Sequence, residues 1–297
     1  MLPVLLLMLP ADGKKIVIIV MEPTIPVNVV HLLPALDEKL IDLLESLTDE
    51  DWHKQTIAKL WTVKDVAAHL LDGNIRSLSM LRDNYFGEKL IVQTYEGLVD
   101  FLNGLNADWV KAMKRVSPAM LILLHKATGK LYCDYYASLR PFEKAGFAVN
   151  WAGENESKNW MHIAREYTEK WLHQQQIRDA VNRPALMTQE FYHPFINIFM
   201  FAIPYTFRNI NAEENTLVQI TINSDIGGEW YTKMQQGKWQ LVNKIDTLPH
   251  AEVIIDPDTS WKLFSKSLRP EDIRDKVIIK GNQSLGEVAL NMVSVMA

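Results

Sequence analysis

The chain has 297 residues, 48% of them hydrophobic and 23% charged; this excludes a disordered or collagen-like chain and makes two domains more natural than one. Its 31 Lys and Arg against 36 Asp and Glu leave a net charge of −5 with no dense basic run, so no nucleic-acid partner is expected. The single cysteine, Cys133, rules out an intrachain disulfide and any Cys-rich zinc site, and points to a reducing cytoplasm.

Two apolar runs, 1–10 and 16–21, are interrupted by 11–15. Neither reaches the roughly 20 residues that span a bilayer, so no membrane segment is expected. Lys14 and Lys15 follow the first run, whereas an export signal places its basic residues ahead. Met21 opens MEPTIPVN like a true start, so 1–20 reads as an upstream extension within an N-terminal segment, 1–29, ahead of the bundle. An atypical export signal and a real first strand are the competing readings.

From residue 30 to about 182 the pattern is helical. Leu36, Leu40, Leu43, Leu44 and Leu47 recur at three- and four-residue spacing and mark a first amphipathic helix. Thr62-Val63-Lys64-Asp65 is a capping-box start for a second helix, 63 to about 85. A third helical region covers roughly 95–124, with Ser117-Pro118 as a candidate break. A fourth begins near 158 and stops at Asn182-Arg183-Pro184. Four long helices with buried faces predict an antiparallel bundle over 30–186. After Pro184 the texture becomes strand-like. Strands are expected at 216–222, 229–234, 238–242, 251–255 and 276–279, with helical stretches at 259–267 and 284–295. This predicts a smaller α+β domain over 187–297.

The segment WMHIAREYTEKWLHQQQIRD, 160–179, carries the most chemistry. At 100° per residue, His162, Glu166, Glu169 and His173 fall within about one sixth of the helix circumference. Glu169 and His173 stand one turn apart, so both can reach one divalent ion. An isolated E-x-x-x-H pair is more often a solvated stripe, but Trp160, Ile163, Tyr167, Trp171 and Ile177 flank this one and make the helix look enclosed. His69, in the apolar run VAAHLL, is a candidate third ligand. A lone histidine there is more often a core residue; Asp72 and Arg76 on the same face shift the balance. The same pair also reads as an ordinary intrahelical ion pair. Cys133 reads as a buried structural thiol.

WTVKDVAAHL, 61–70, resembles the W-t-v-x-D-v-x-x-H-L signature of the DinB-like, mycothiol-dependent maleylpyruvate isomerase family. EKWLH, 169–173, is similar to its second metal motif, and QQQIRDAVNRP, 174–184, to the stretch that follows it. Residues 191–208 look like the family's linker, and the C-terminal part resembles its sterol-carrier-like domain. Where the isomerases proper carry an Asp three residues after the second histidine, this chain has Gln176. The resemblance implies an all-α domain, a DinB-like four-helix bundle, followed by an α+β domain. It further implies a divalent metal, usually zinc, on His69, Glu169 and His173, and a low-molecular-weight thiol, mycothiol or an equivalent, as coenzyme.

The nucleophile would then be a metal-bound thiolate or water rather than a protein side chain, in an isomerase or thiol transferase acting on a small electrophile. Asp72, Arg76, His162 and Glu166 would support the ligands or contact substrate. The expected partners are the thiol and the electrophile, in a monomer or homodimer. Two further readings stay open: a non-catalytic metal-binding protein carrying a hydrophobic ligand, and a non-haem iron enzyme on the same three ligands.

Overall fold

The computed structural model describes residues 23–87, 94–243 and 247–295. The two apolar runs at the N-terminus lie outside the described residues. Val27 and Val29 are already buried in the core, ahead of a 3₁₀ turn at Val30–Leu32. Helix α1, Leu33–Glu45, buries Leu36, Leu40, Leu43 and Leu44 as its leucine spacing requires. Helix α2, Val63–Arg76, starts on the expected capping box: the Asp65 carboxylate accepts from the Thr62 backbone N–H at 3.0 Å and from its hydroxyl at 2.9 Å. It runs on into a π-helical turn, Ser77–Arg82.

The third helical region is two helices. Helix α3, Tyr95–Met113, ends before Ser117, whose hydroxyl caps Met120 N of helix α4, Pro118–Ser138. Pro118 has no N–H to continue a helix and a φ suited to starting one, so the chain restarts there. The second half of α4 escaped the pattern reading because its inner face is His125, Gly129, Tyr132, Cys133 and Tyr136, where a leucine stripe would ordinarily be. Helix α5, Asn159–Val181, ends at Asn182 in the left-handed conformation, φ 53°.

Helices α1, α2, α4 and α5 form the bundle. Each of α1 and α2 packs against both α4 and α5, so α5 lies between the two, and α3 packs outside on α2. After α5 come two short helices, α6 (Tyr192–Phe199) and α7 (Ile203–Phe207), where the linker was expected. A five-stranded sheet follows: β1 Leu217–Ile222, β2 Gly228–Gln235, β3 Lys238–Val242, β4 Ala251–Ile255 and β5 Val277–Gly281. The order is β3-β2-β1-β4-β5, with β1 and β4 parallel and the other neighbours antiparallel. The β1–β4 pair puts β1 in the centre, where Leu217, Val218, Ile220 and Ile222 are all buried. Helices α8 (Pro257–Phe264) and α9 (Gln283–Leu290) complete this part, α9 lying against β4 and β5.

One aromatic joint connects the halves. Trp171 of α5 is fully buried; it stacks on Phe195 of α6 at 3.8 Å between ring centres and meets Trp261 of α8 edge-on at 6.3 Å. Lys262 of α8 reaches Asp179 of α5 at 3.0 Å. Removing an indole so buried costs about 3–5 kcal/mol. Among the described residues, no helix is long and apolar enough to cross a membrane.

His125 gives the bundle a pH dependence. It is fully buried, and its Nε2 lies 2.9 Å from the Ala67 carbonyl, which fixes the proton on that nitrogen. Burial, then Lys170, pushes its pKa down to about 4 despite that bond. The folded state therefore leaves His125 neutral at pH values where the unfolded chain binds a proton. Stability is lost as pH falls from about 6.5 towards 4. The urea midpoint is expected to drop between pH 7 and pH 5, and His125→Gln should shrink that drop. An equal drop in the variant would show that other groups carry the acid sensitivity.

Candidate metal site

His69 lies midway along α2 and both Glu169 and His173 lie on α5, so the packing of these two helices decides whether the three meet. They do. One ligand atom from each residue lies within 4.8 Å of the others, and all three residues are half-buried. Glu169 Oε2 is 3.3 Å from His173 Nε2, as the one-turn spacing requires, and the rings of His69 and His173 meet edge-on at 4.5 Å.

The donor set, two imidazoles and one carboxylate, suits a borderline ion such as zinc. Two observations bear on the fit. His69 Nδ1 is buried and has no hydrogen-bond partner among the described residues. Burial foremost, then His173, Arg76 and Lys170, holds the His69 pKa well below the ordinary imidazole range, so the ring is neutral, as a ligand must be. His173 Nδ1 lies 2.9 Å from Gln176 Oε1; since a carbonyl oxygen only accepts, Nδ1 carries a proton, and Nε2 is the nitrogen turned towards Glu169.

Trp61 forms a wall. Its ring centre is 4.8 Å from that of His69 and 6.2 Å from that of His173. The loop before α2 fixes it there. The Trp61 carbonyl accepts from Thr56 N at 3.2 Å, Thr56 Oγ1 at 2.7 Å and Gln55 Nε2 at 2.8 Å.

The other expected residues are placed differently. Asp72, buried, faces Arg76, with Nε to Oδ2 at 3.0 Å in a geometry too bent for a good hydrogen bond. Burial raises the Asp72 pKa and Arg76 draws it back. Arg76 Nη2 also donates to Asn106 Oδ1 of α3 at 3.2 Å, and among the described residues Nη1 has no hydrogen bond. His162 and Glu166 form a separate polar knot further down α5. Arg165 Nη2 donates to Glu166 Oε1 at 2.6 Å and to His162 Nδ1 at 3.1 Å, and Tyr132 Oη donates to Glu166 Oε2 at 2.9 Å. Burial raises the Glu166 pKa, but Arg165, His162 and Tyr132 together outweigh it and bring it to about 2. His162 goes down to about 4, by burial first and then Arg165.

The pattern reading did not single out Trp61, Lys170 or Gln176 as site residues. Trp61 and Lys170 lie inside the two motifs, eight residues from His69 and one from Glu169, and Gln176 lies three residues past His173, where the sequence departs from the isomerases proper. Cys133 is buried, and burial, then Asp37, pushes its thiol up to about 12, so it is no nucleophile near neutral pH. A separate groove of about 390 Å³ lies on the C-terminal part, lined by His193, Asn197, Phe201, Trp230, Leu241 and Val242. It shares no residue with the donor set.

Residues 33–178 match the model of the mycothiol maleylpyruvate isomerase N-terminal domain. The helical part of the chain belongs to that family. Two solved structures of a mycothiol-dependent maleylpyruvate isomerase share the fold of 84% of this chain and 91% of theirs. One, a histidine-to-alanine mutant, aligns with TM-score 0.52 at 9% identity, and the other with 0.51 at 10%. No curated protein matches this sequence. The likeness covers both halves, so the sheet part as well as the bundle has the isomerase fold.

Outer partners that orient ligating histidines are worth about 10–100-fold in metal affinity. Gln176→Leu removes the acceptor at His173 Nδ1 and should weaken zinc binding by about tenfold, read by competition with a chromophoric chelator. Unchanged affinity would mean that this bond does not orient the ring.

Proposed function

We propose that the chain is a divalent-metal-dependent enzyme that takes a small thiol of the mycothiol type as coenzyme and acts on a small electrophile, as an isomerase or thiol transferase. The observation that carries this reading is the convergence of His69, Glu169 and His173 from two packed helices onto a span of 4.8 Å. Zinc in a reducing cytoplasm suits these nitrogen and oxygen donors. When bound, such an ion lowers the pKa of a coordinated thiol or water, supplying a nucleophile near neutral pH.

The protein's own residues have distinct tasks. His69, Glu169 and His173 hold the ion, and Gln176 keeps the His173 proton away from it. Trp61 screens one side of the donor set from water, which strengthens every charge interaction there. The free edge of Arg76 is suited to a carboxylate of the substrate or of the thiol, since a guanidinium binds carboxylate oxygens in pairs. The knot of Arg165, Glu166, His162 and Tyr132 satisfies its own charges and serves the bundle. Among the described residues, no side chain near the donor set is placed as a nucleophile, in keeping with a thiol brought in as coenzyme. The carrier reading has the groove on the C-terminal part in its favour, but at about 390 Å³ it is at the small end for a ligand pocket.

The purified protein is expected to bind one equivalent of zinc tightly and to conjugate or isomerise electrophiles only with both metal and thiol present. The His69→Ala/His173→Ala double variant should lose both properties and keep its helical circular dichroism. One equivalent of tightly held metal in that variant would end the three-ligand reading.

Arg76→Ala should keep the metal and weaken thiol or substrate binding by about 1.5–3 kcal/mol, the range for a charged hydrogen bond. Wild-type kinetics across a panel of thiols and electrophiles would reduce Arg76 to its ion pair with Asp72.

A further inference from the structure

Lys170 is part of the second motif, next to Glu169, and the tasks assigned above leave it unused. Its position is nonetheless specific. The ammonium donates to the Leu70 carbonyl at 3.0 Å and to Asn74 Oδ1, and it lies over the Tyr132 ring, 4.5 Å from the centre. Leu70 follows His69 on α2, just as Lys170 follows Glu169 on α5. Among the described residues, the hydrogen bonds between α2 and α5 are the two that Lys170 donates. His69 itself reaches α5 only by the ring contact with His173.

Sequence around the contact accommodates it. Position 73 is glycine, and the nearest atom to where its Cβ would stand is Lys170 Nζ at 4.0 Å, so a methyl fits but a longer chain would crowd the ammonium. Asn74 is fully buried and passes the link on, its Nδ2 donating to Thr128 Oγ1 of α4 at 3.0 Å. Three helices are thus tied at one level, a single residue from the donors on each of the two that carry them. On the helical wheel Lys170 leaves α5 roughly 60–100° away from the Glu169–His173 edge. Its hydrogen bonds go to α2, and the carboxylate that most favours its charge is Asp37 of α1.

We infer that Lys170 is the positioning residue of the donor set, its ammonium fixing the separation and register of α2 against α5 at which one ion can be held by both. This rests on the metal reading proposed above. An ordinary hydrophobic contact would hold the helices together equally well, but it is non-directional and would let them slide. A hydrogen-bonded ammonium with two acceptors fixes a register.

The test separates holding from positioning. Lys170→Met keeps the length and apolar stem of the side chain, and Lys170→Met/Asn74→Leu also removes the acceptor left behind. Removing a buried charge alone leaves its acceptors unpaired and is costly, whereas removing the partner with it is often neutral. The apo single variant should therefore melt below the wild type and the apo double variant closer to it. Zinc affinity should fall by about 10–100-fold in both, the range for residues that act through the ligands. The visible bands of the Co²⁺-loaded variants should change in intensity relative to wild type, reporting altered ligand geometry. Zinc affinity within twofold of wild type and unchanged Co²⁺ bands would overturn the positioning role while leaving the metal reading standing. If affinity falls only in step with a lower melting temperature and the Co²⁺ bands keep their shape, Lys170 is structural and the inference fails. A wild-type protein that takes up neither ion overturns the metal reading, and this role with it.

Discussion

Burying the inner face of α5 takes Arg165, Glu166 and Lys170 largely out of water together, and the cost of that fixes what the neighbouring helices must carry. An unpaired charge in such a place is worth several kcal/mol of instability, so each has to be met. Glu166 is met by Arg165 from its own helix and by Tyr132 from α4, and Lys170 by Leu70 and Asn74 from α2. This matching accounts for the unusual inner face of α4, whose tyrosines and histidine stand where leucines would otherwise pack. It also narrows the ways in which α2 and α5 can lie against each other. The convergence of His69 with Glu169 and His173 is a by-product of the same constraint.

Two kinds of polar group therefore coexist along one helix. Glu166 is over-satisfied, with a cation and a phenol on its carboxylate, and stays ionised down to about pH 2. The upper donors are under-satisfied: His69 Nδ1 has no partner among the described residues, and Glu169 touches His173 through a single contact of 3.3 Å. The Glu166 carboxylate is met at one level and the two imidazoles and the carboxylate of the next level are brought together with few partners of their own, although His162 Nε2 and Arg165 Nε in the lower knot also lack one among the described residues. The two levels lie less than two turns of helix apart.

How much of this could be read beforehand depended on how local the signal was. Strands β3 and β4 coincide with the residues expected of them, because a clean alternation or a short apolar run next to a turn leaves little freedom. The closeness of Glu169 and His173 was visible because a four-residue step on a helix is itself a geometry. Helix α4 beyond residue 124 was not, since an inner face built to satisfy charges on another helix carries no apolar period of its own. Asp72 was expected beside His69, yet its oxygen faces Arg76 one turn on. Spacing tells which residues share a face, and it is the relative strength of the partners that decides which of them touch. For Lys170 and Gln176, meaning came only from groups brought in by folding: a carbonyl on α2 for one, and the far nitrogen of a neighbouring imidazole for the other.

Trp171 points away from the three candidate ligands into Phe195 and Trp261, in the middle of the pentapeptide whose ends are Glu169 and His173. The helix that carries two of the candidate ligands is thereby also the helix onto which the sheet part is clamped. A gene fragment ending at residue 181 would encode both ligand motifs in full, yet it would leave Trp171 and Tyr167 facing solvent where α6 and α8 had covered them. Exchanging the C-terminal part with that of a distant relative meets the same obstacle, because the socket for this indole would have to come with it. A change in either half is therefore felt along α5 by the other.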